Sequence, residues 1–79
     1  MADDDDAWFA DDAWHYVSSS NVMGFKYNPR TRELTIRFRG SRDYKYFAID
    51  ASMVEGLATA SSPGGWFHAN LMGAPFERV

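Results

Sequence analysis

Glu33-Leu34-Thr35-Ile36-Arg37-Phe38-Arg39 puts Leu34, Ile36 and Phe38 on one side of the chain and Thr35, Arg37 and Arg39 on the other. Strict alternation is the mark of a half-buried β-strand, because successive side chains of a strand point to opposite faces. One face of this strand belongs to a core and the other is basic. Upstream, Asn21 to Tyr27 is rich in Val, Phe and Tyr and ends at Asn28-Pro29-Arg30-Thr31, where Asn and Pro together signal a turn. Downstream, Gly40-Ser41-Arg42-Asp43 makes a second turn into Tyr44-Lys45-Tyr46-Phe47-Ala48-Ile49, a third strand. Two short turns in succession force an antiparallel meander.

Beyond the third strand the period changes. Asp50 or Ser52 opens a helix, and Ser52-Met53-Val54-Glu55 has the spacing of a capping box. Val54, Leu57, Ala58 and Ser61 recur at helical intervals and give it a narrow apolar stripe. Gly56 costs that helix about 1 kcal/mol relative to alanine, which a close approach to a strand would explain. Pro63-Gly64-Gly65 reads as its end, and Trp66 to Met72 as a short turn or strand returning two large aromatics to the core. The expected class is α+β: a small three-stranded antiparallel meander packed against one helix, with Phe76 to Val79 as an optional short C-terminal edge strand.

With 79 residues the chain makes one domain with a thin core, and with no cysteine it excludes disulfides, thiol catalysis and thiolate metal sites. Its 13 aromatic residues must therefore supply much of the packing. Apolar runs are too short for a membrane span, and an acidic N-terminus is the opposite of a signal peptide's basic start. The expected location is the cytoplasm, of a host cell or, for a phage-encoded protein, the virion.

Charge is segregated under the net −3. Residues 1–12 hold six aspartates and no basic group. Residues 26–45 hold Lys26, Arg30, Arg32, Arg37, Arg39, Arg42 and Lys45 against Glu33 and Asp43, a net of +5. Residues 1–13 accordingly read as an acidic aromatic tail and residues 14–79 as the domain, with the apolar periodicity established by residue 17. Within the tail, Asp5-Asp6-Ala7-Trp8-Phe9-Ala10 is nearly repeated by Asp11-Asp12-Ala13-Trp14-His15-Tyr16.

The order Val17-x-Ser19-Ser20-Asn21-Val22, Tyr27-Asn28-Pro29, Leu34-x-Ile36-x-Phe38, Tyr44-Lys45-Tyr46 and Ala60-x-Ser62-x-Gly64 resembles the KTSC domain. That module occurs at the C-terminus of some lysyl-tRNA synthetases and as a free-standing bacterial or phage protein. The resemblance runs from about Trp14 to Val79, and its most specific element is the Tyr-x-Tyr of Tyr44 and Tyr46. Through the company the module keeps, the resemblance implies an RNA partner. Trp14, Trp66 and Phe67 are heavier than the family pattern, and the acidic tail lies outside it.

A catalytic reading fares badly. His15 and His68 lie in different segments, neither with a Ser or Asp partner that the sequence assigns to a triad. Asp11 and His15 have i, i+4 spacing with Asp12 between them, yet carboxylates of an acidic tail ordinarily face water, so no metal or other cofactor is expected. Pro63-Gly64-Gly65 lacks the Lys-Ser/Thr of a phosphate-binding loop. The residues point instead to a non-enzymatic binding module. Its candidate site is Lys26, Arg30, Arg32, Arg37, Arg39, Arg42 and Lys45 with Tyr44 and Tyr46 as stacking rings, a surface suited to single-stranded RNA or DNA, of which the resemblance favours RNA. Against this stands the reading of the tyrosines as core and the arginines as a solvated sheet face. A second class of function rests on the tail, where Asp5, Asp6, Trp8, Phe9, Asp11, Asp12 and Trp14 interleave negative charge with stackable rings. Such a segment suits the domain's own basic face, a basic surface on another protein, as in an inhibitor or virion component, or a second copy joined through the tail aromatics.

Overall fold

A computed structural model of the chain describes residues 11–19, 21–40 and 42–79. Among them β1 (His15–Tyr16), β2 (Val22–Asn28), β3 (Glu33–Phe38), β4 (Asp43–Tyr46) and β5 (Phe76–Arg78) form one antiparallel sheet in that order. Helices α1 (Ala51–Thr59) and α2 (Pro63–Asn70) come between β4 and β5 and pack on one side of the sheet. The β2 to β4 meander and the C-terminal edge strand follow the sequence pattern. Three strands and one helix become five strands and two helices, and each addition has a local cause.

The core rows follow from the register. Tyr27, Leu34, Tyr46 and Phe76 stand opposite one another across four strands, and Phe25, Ile36 and Tyr44 form the next row. Val54 and Leu57 of α1 and Phe67 of α2 close over them, with Phe67 edge-on to Phe38 at 5.0 Å and to Tyr46 at 5.9 Å between ring centroids. Edge-to-face pairs of this kind add about 0.5–1.5 kcal/mol beyond the area they bury.

β4 ends at Tyr46, not at the expected Ile49, because Ala48 turns to a φ of 56°. Ile49 then donates its amide hydrogen to the Arg32 carbonyl at 3.0 Å and accepts the Tyr27 hydroxyl on its own carbonyl at 2.6 Å. Asp50 is the N-cap of α1, so the expected capping box at Ser52 lies inside the helix. The Asp50 side chain makes no cap hydrogen bond, since Arg32 holds its carboxylate in an ion pair. Its main-chain carbonyl instead takes the Met53 and Val54 amides.

Pro63-Gly64-Gly65 starts a helix where an end was expected. Ser62 caps it, its Oγ accepting the Gly65 amide at 3.2 Å, and Pro63 occupies the first turn, where its missing N–H costs nothing. Trp66 to Asn70, expected as a turn or strand, is thus the body of α2. Gly56 makes a close approach, though to α2 and not to a strand: a Cβ there would lie 2.7 Å from Trp66 Nε1. β1 needs Gly24, whose added Cβ would fall 2.8 Å from the His15 carbonyl oxygen.

Tyr27→Phe removes the hydroxyl and leaves the buried Ile49 carbonyl without its donor. Denaturant unfolding is expected to show a loss of about 1–3 kcal/mol, the cost of an unpaired buried polar group. A loss within experimental error would show that the hydroxyl does not hold the corner.

Candidate ligand-binding faces

The sheet has an open face and a helix-covered face, and its register assigns the candidate residues within the strands to one or the other. On the open face Gly24 stands opposite Arg37 and Arg37 opposite Asp43, while Lys26, Thr35, Lys45 and Glu77 form the neighbouring row. Trp14 lies over this face. Its ring centroid is 4.0 Å from the Arg37 guanidinium carbon and 5.3 Å from Lys26 Nζ, and Tyr16 stacks beside it at 6.4 Å with an interplanar angle of 23°. Gly24, lacking a side chain, leaves the room into which Tyr16 settles.

The face is less basic than its sequence. Arg37 donates Nε and Nη2 to the two carboxylate oxygens of Asp43, both at 2.9 Å, and Lys45 lies 3.5 Å from Glu33. The hydrogen bonds from Arg37 hold the Asp43 carboxyl below the usual aspartate range, and the same bonds push the guanidinium up. Trp14, Lys26, Lys45 and the carboxylates of Asp12, Glu33 and Asp43 line a depression of about 220 Å³ there.

The remaining candidates lie elsewhere. Arg30 and Arg32 sit at the β2–β3 turn, where Asn28 Oδ1 accepts the Arg30 amide at 2.9 Å and Arg32 pairs with Asp50. At the opposite end of β3, Arg39 donates Nε and Nη2 to the Ser19 carbonyl at 3.2 and 3.0 Å, and Arg42 is exposed. Tyr44 and Tyr46 are on the helix-covered face, so they do not complete a stacking surface with Arg37 and Lys45. Tyr46 is 2% exposed, and burial, with Tyr44 alongside, pushes its hydroxyl up, keeping it a neutral donor.

Of the tail residues, Asp5, Asp6, Trp8 and Phe9 lie outside the described residues. Asp11 accepts the Ala13 amide at 3.1 Å and His15 Nε2 at 2.8 Å, and the Asp12 amide donates to the Tyr27 carbonyl at 2.9 Å. The His15 hydrogen bond holds the Asp11 carboxyl low. His15 also packs against Phe25, and His68 is on α2, so the two histidines serve separate elements. Among the described residues there is no group of three or more potential metal ligands, and no helix is long and apolar enough to cross a membrane.

A second concavity, about 380 Å³, opens on the helix-covered face at the β4–β5 end. Phe38, Tyr44, Phe67 and Phe76 wall it, and Tyr44 stacks on Phe76 at 4.8 Å and 5°. The candidate residues from sequence included only its Arg39, Tyr44 and Tyr46. Phe76 and His68 come from elements whose placement depends on α2.

The KTSC domain model matches residues 18–76. The chain belongs to the KTSC domain family. A crystal structure of a KTSC domain protein from Yersinia pestis superposes with a TM-score of 0.82 at 26% identity, covering 85% of this chain and 96% of that one. A lysine–tRNA ligase from Nostoc is 33% identical over 54 residues, 68% of this chain, and this KTSC chain spans 10% of that enzyme's length. The Tyr-x-Tyr pair of this member belongs to the core row and groove wall, not to the open face.

Asp43 makes the open-face ion pair acid-sensitive. Its carboxyl titrates lower in the folded chain than in the unfolded one, so the stabilisation is complete above the ordinary aspartate pKa of about 4 and is lost as pH falls below it. Asp43→Asn is expected to lower the melting temperature at pH 7 and to narrow its gap to the wild type in acid. An equal gap at pH 7 and pH 3 would show that the pair contributes nothing ionic.

Proposed function

We propose that this KTSC domain is a non-enzymatic binding module that takes single-stranded nucleic acid, RNA first, on the open face of its sheet. The observation that carries the reading is the Trp14 indole over Arg37 and Lys26 with Tyr16 stacked beside it. Flat rings next to cations, standing on a sheet, offer a base a stacking partner and its phosphate a counter-charge. The rings are Trp14 and Tyr16, not Tyr44 and Tyr46. Similarity to a segment of an enzyme named for its work on tRNA supports RNA over DNA.

Because Arg37 and Lys45 already face carboxylates, few phosphates are contacted and affinity is modest. The competing reading, a tail that captures a basic protein surface, must do without the Asp11 carboxylate, which His15 engages within the chain.

Fluorescence anisotropy with a labelled single-stranded RNA tests the proposal. Three phosphate contacts, to Lys26, Arg37 and Lys45, set the slope of log K against log salt at about −2. Trp14→Ala is expected to weaken binding at least about fivefold, the low end of what one stacked base contributes. No binding at low salt removes the nucleic-acid reading and leaves protein recognition through the tail. Tighter binding by Trp14→Ala would show that the indole blocks the face.

A further inference from the structure

The groove between β4, β5 and α2 has no part in the open-face reading, and its chemistry is different. The sheet sorts the carboxylates away from it. Glu33, Asp43 and Glu77 all lie in the open-face rows, and none of the groove's lining residues is acidic. The charged or chargeable groups that do line it are the Arg39 guanidinium and the His68 imidazole. Its walls are the rings of Phe38, Phe67 and Phe76.

The two tyrosines add polar donors. Neither hydroxyl bonds to a described residue, and among the described residues no fully buried side-chain polar atom is left without a partner. Tyr46, 2% exposed, and Tyr44 both line the groove. Half of Phe76 and more than half of Met72 remain exposed at the rim. Aromatic walls, hydroxyl donors and a cation with no carboxylate partner among the described residues are together complementary to a flat ring that carries a negative group.

We propose that this groove binds a small aromatic anion, a single ring bearing a carboxylate or phosphate, with the ring against Phe38, Phe67 and Phe76. Arg39 takes the anion by a charge-assisted hydrogen bond, with His68 beside it. A volume of about 380 Å³ is at the low end of small-molecule sites and suits one ring, not an extended chain.

The test is a set of titrations of the full 79-residue chain, followed by amide chemical shifts. Phenylacetate is expected to move the amides of Phe38, Arg39, Tyr44, Phe67, His68 and Phe76 with a Kd of about 1 mM, the scale of a fragment of this size. Phenylacetamide, which keeps the ring and loses the charge, binds about fivefold more weakly. Cyclohexylacetate, which keeps the charge and loses the π faces, binds about threefold more weakly. Arg39→Gln abolishes the preference for phenylacetate over phenylacetamide. Should that variant lose its dispersed spectrum through the Ser19 contact, Phe76→Ala at the half-exposed rim serves instead and weakens phenylacetate and phenylacetamide alike, since both lay the ring against it.

Four results overturn the proposal. One is equal affinity for phenylacetate and phenylacetamide. Another is a response centred on Lys26 and Arg37. The third is movement of the groove amides on simple dilution of the protein, which assigns the groove to a second copy. N-acetylphenylalanine presents the same ring and carboxylate at a peptide end, and markedly tighter binding of it, the fourth result, would give the groove to a polypeptide terminus. Oligonucleotide binding on the open face is read separately, so either result stands without the other.

Discussion

Ile49 is held at both of its peptide groups, the amide by the Arg32 carbonyl and the carbonyl by the Tyr27 hydroxyl. This corner decides where the chain leaves the sheet. A strand that ran on to Ile49 would carry the following residues along the sheet plane. Instead Ala48 takes a left-handed turn, Asp50 starts α1 directly, and the Arg32 ion pair fastens that start to the β2–β3 turn. α1 and α2 must then fold back over the side of the sheet that carries Tyr27, Leu34 and Tyr46. Among the described residues the other side carries no helix, Trp14 and Tyr16 lie over it, and its side chains are those of the alternate register.

From that division come two surfaces of unlike chemistry. The open face pairs its cations with its own carboxylates and lays an indole over Arg37. An exposed cation–π contact contributes about 0.5–1 kcal/mol, weak enough to exchange for a ligand, whereas the part-buried, bidentate Arg37–Asp43 pair is held more firmly. The helix-covered face is walled by aromatic rings, and the acidic groups of β3, β4 and β5 point away from it. The formal +5 of residues 26–45 is thus distributed over a neutralised face and two turns, and never becomes one basic patch.

The alternation of Leu34, Ile36 and Phe38 made the central strand legible, and Asn28-Pro29 and Gly40 made both of its turns so. Two things hid the rest. Ser62-Pro63-Gly64-Gly65 has the residues of a stop and of a start, and only the docking of Phe67 into the core rows decides for a start. The face of Tyr44 and Tyr46 depends on the β3–β4 register, which places Tyr44 opposite Ile36; a shift of one residue across that turn would send both tyrosines to the open side. Trp14 and Tyr16, two apart on an extended chain, share a side, and that spacing was the available signal for the stacked pair. β1 itself is only two residues long, too short for a pattern to announce it.

The side chain of Arg37 offers the most direct test that Trp14 sits on the open face while the Tyr-x-Tyr pair faces the helices. In solution NMR spectra of the full chain, an indole over the guanidinium shifts the Arg37 side-chain protons upfield by its ring current. Nuclear Overhauser contacts should join them to Trp14, and others should join Tyr46 to Phe67. Arg37 side-chain protons at random-coil positions, or Overhauser contacts from Tyr44 or Tyr46 to Arg37, would contradict the two-faced arrangement.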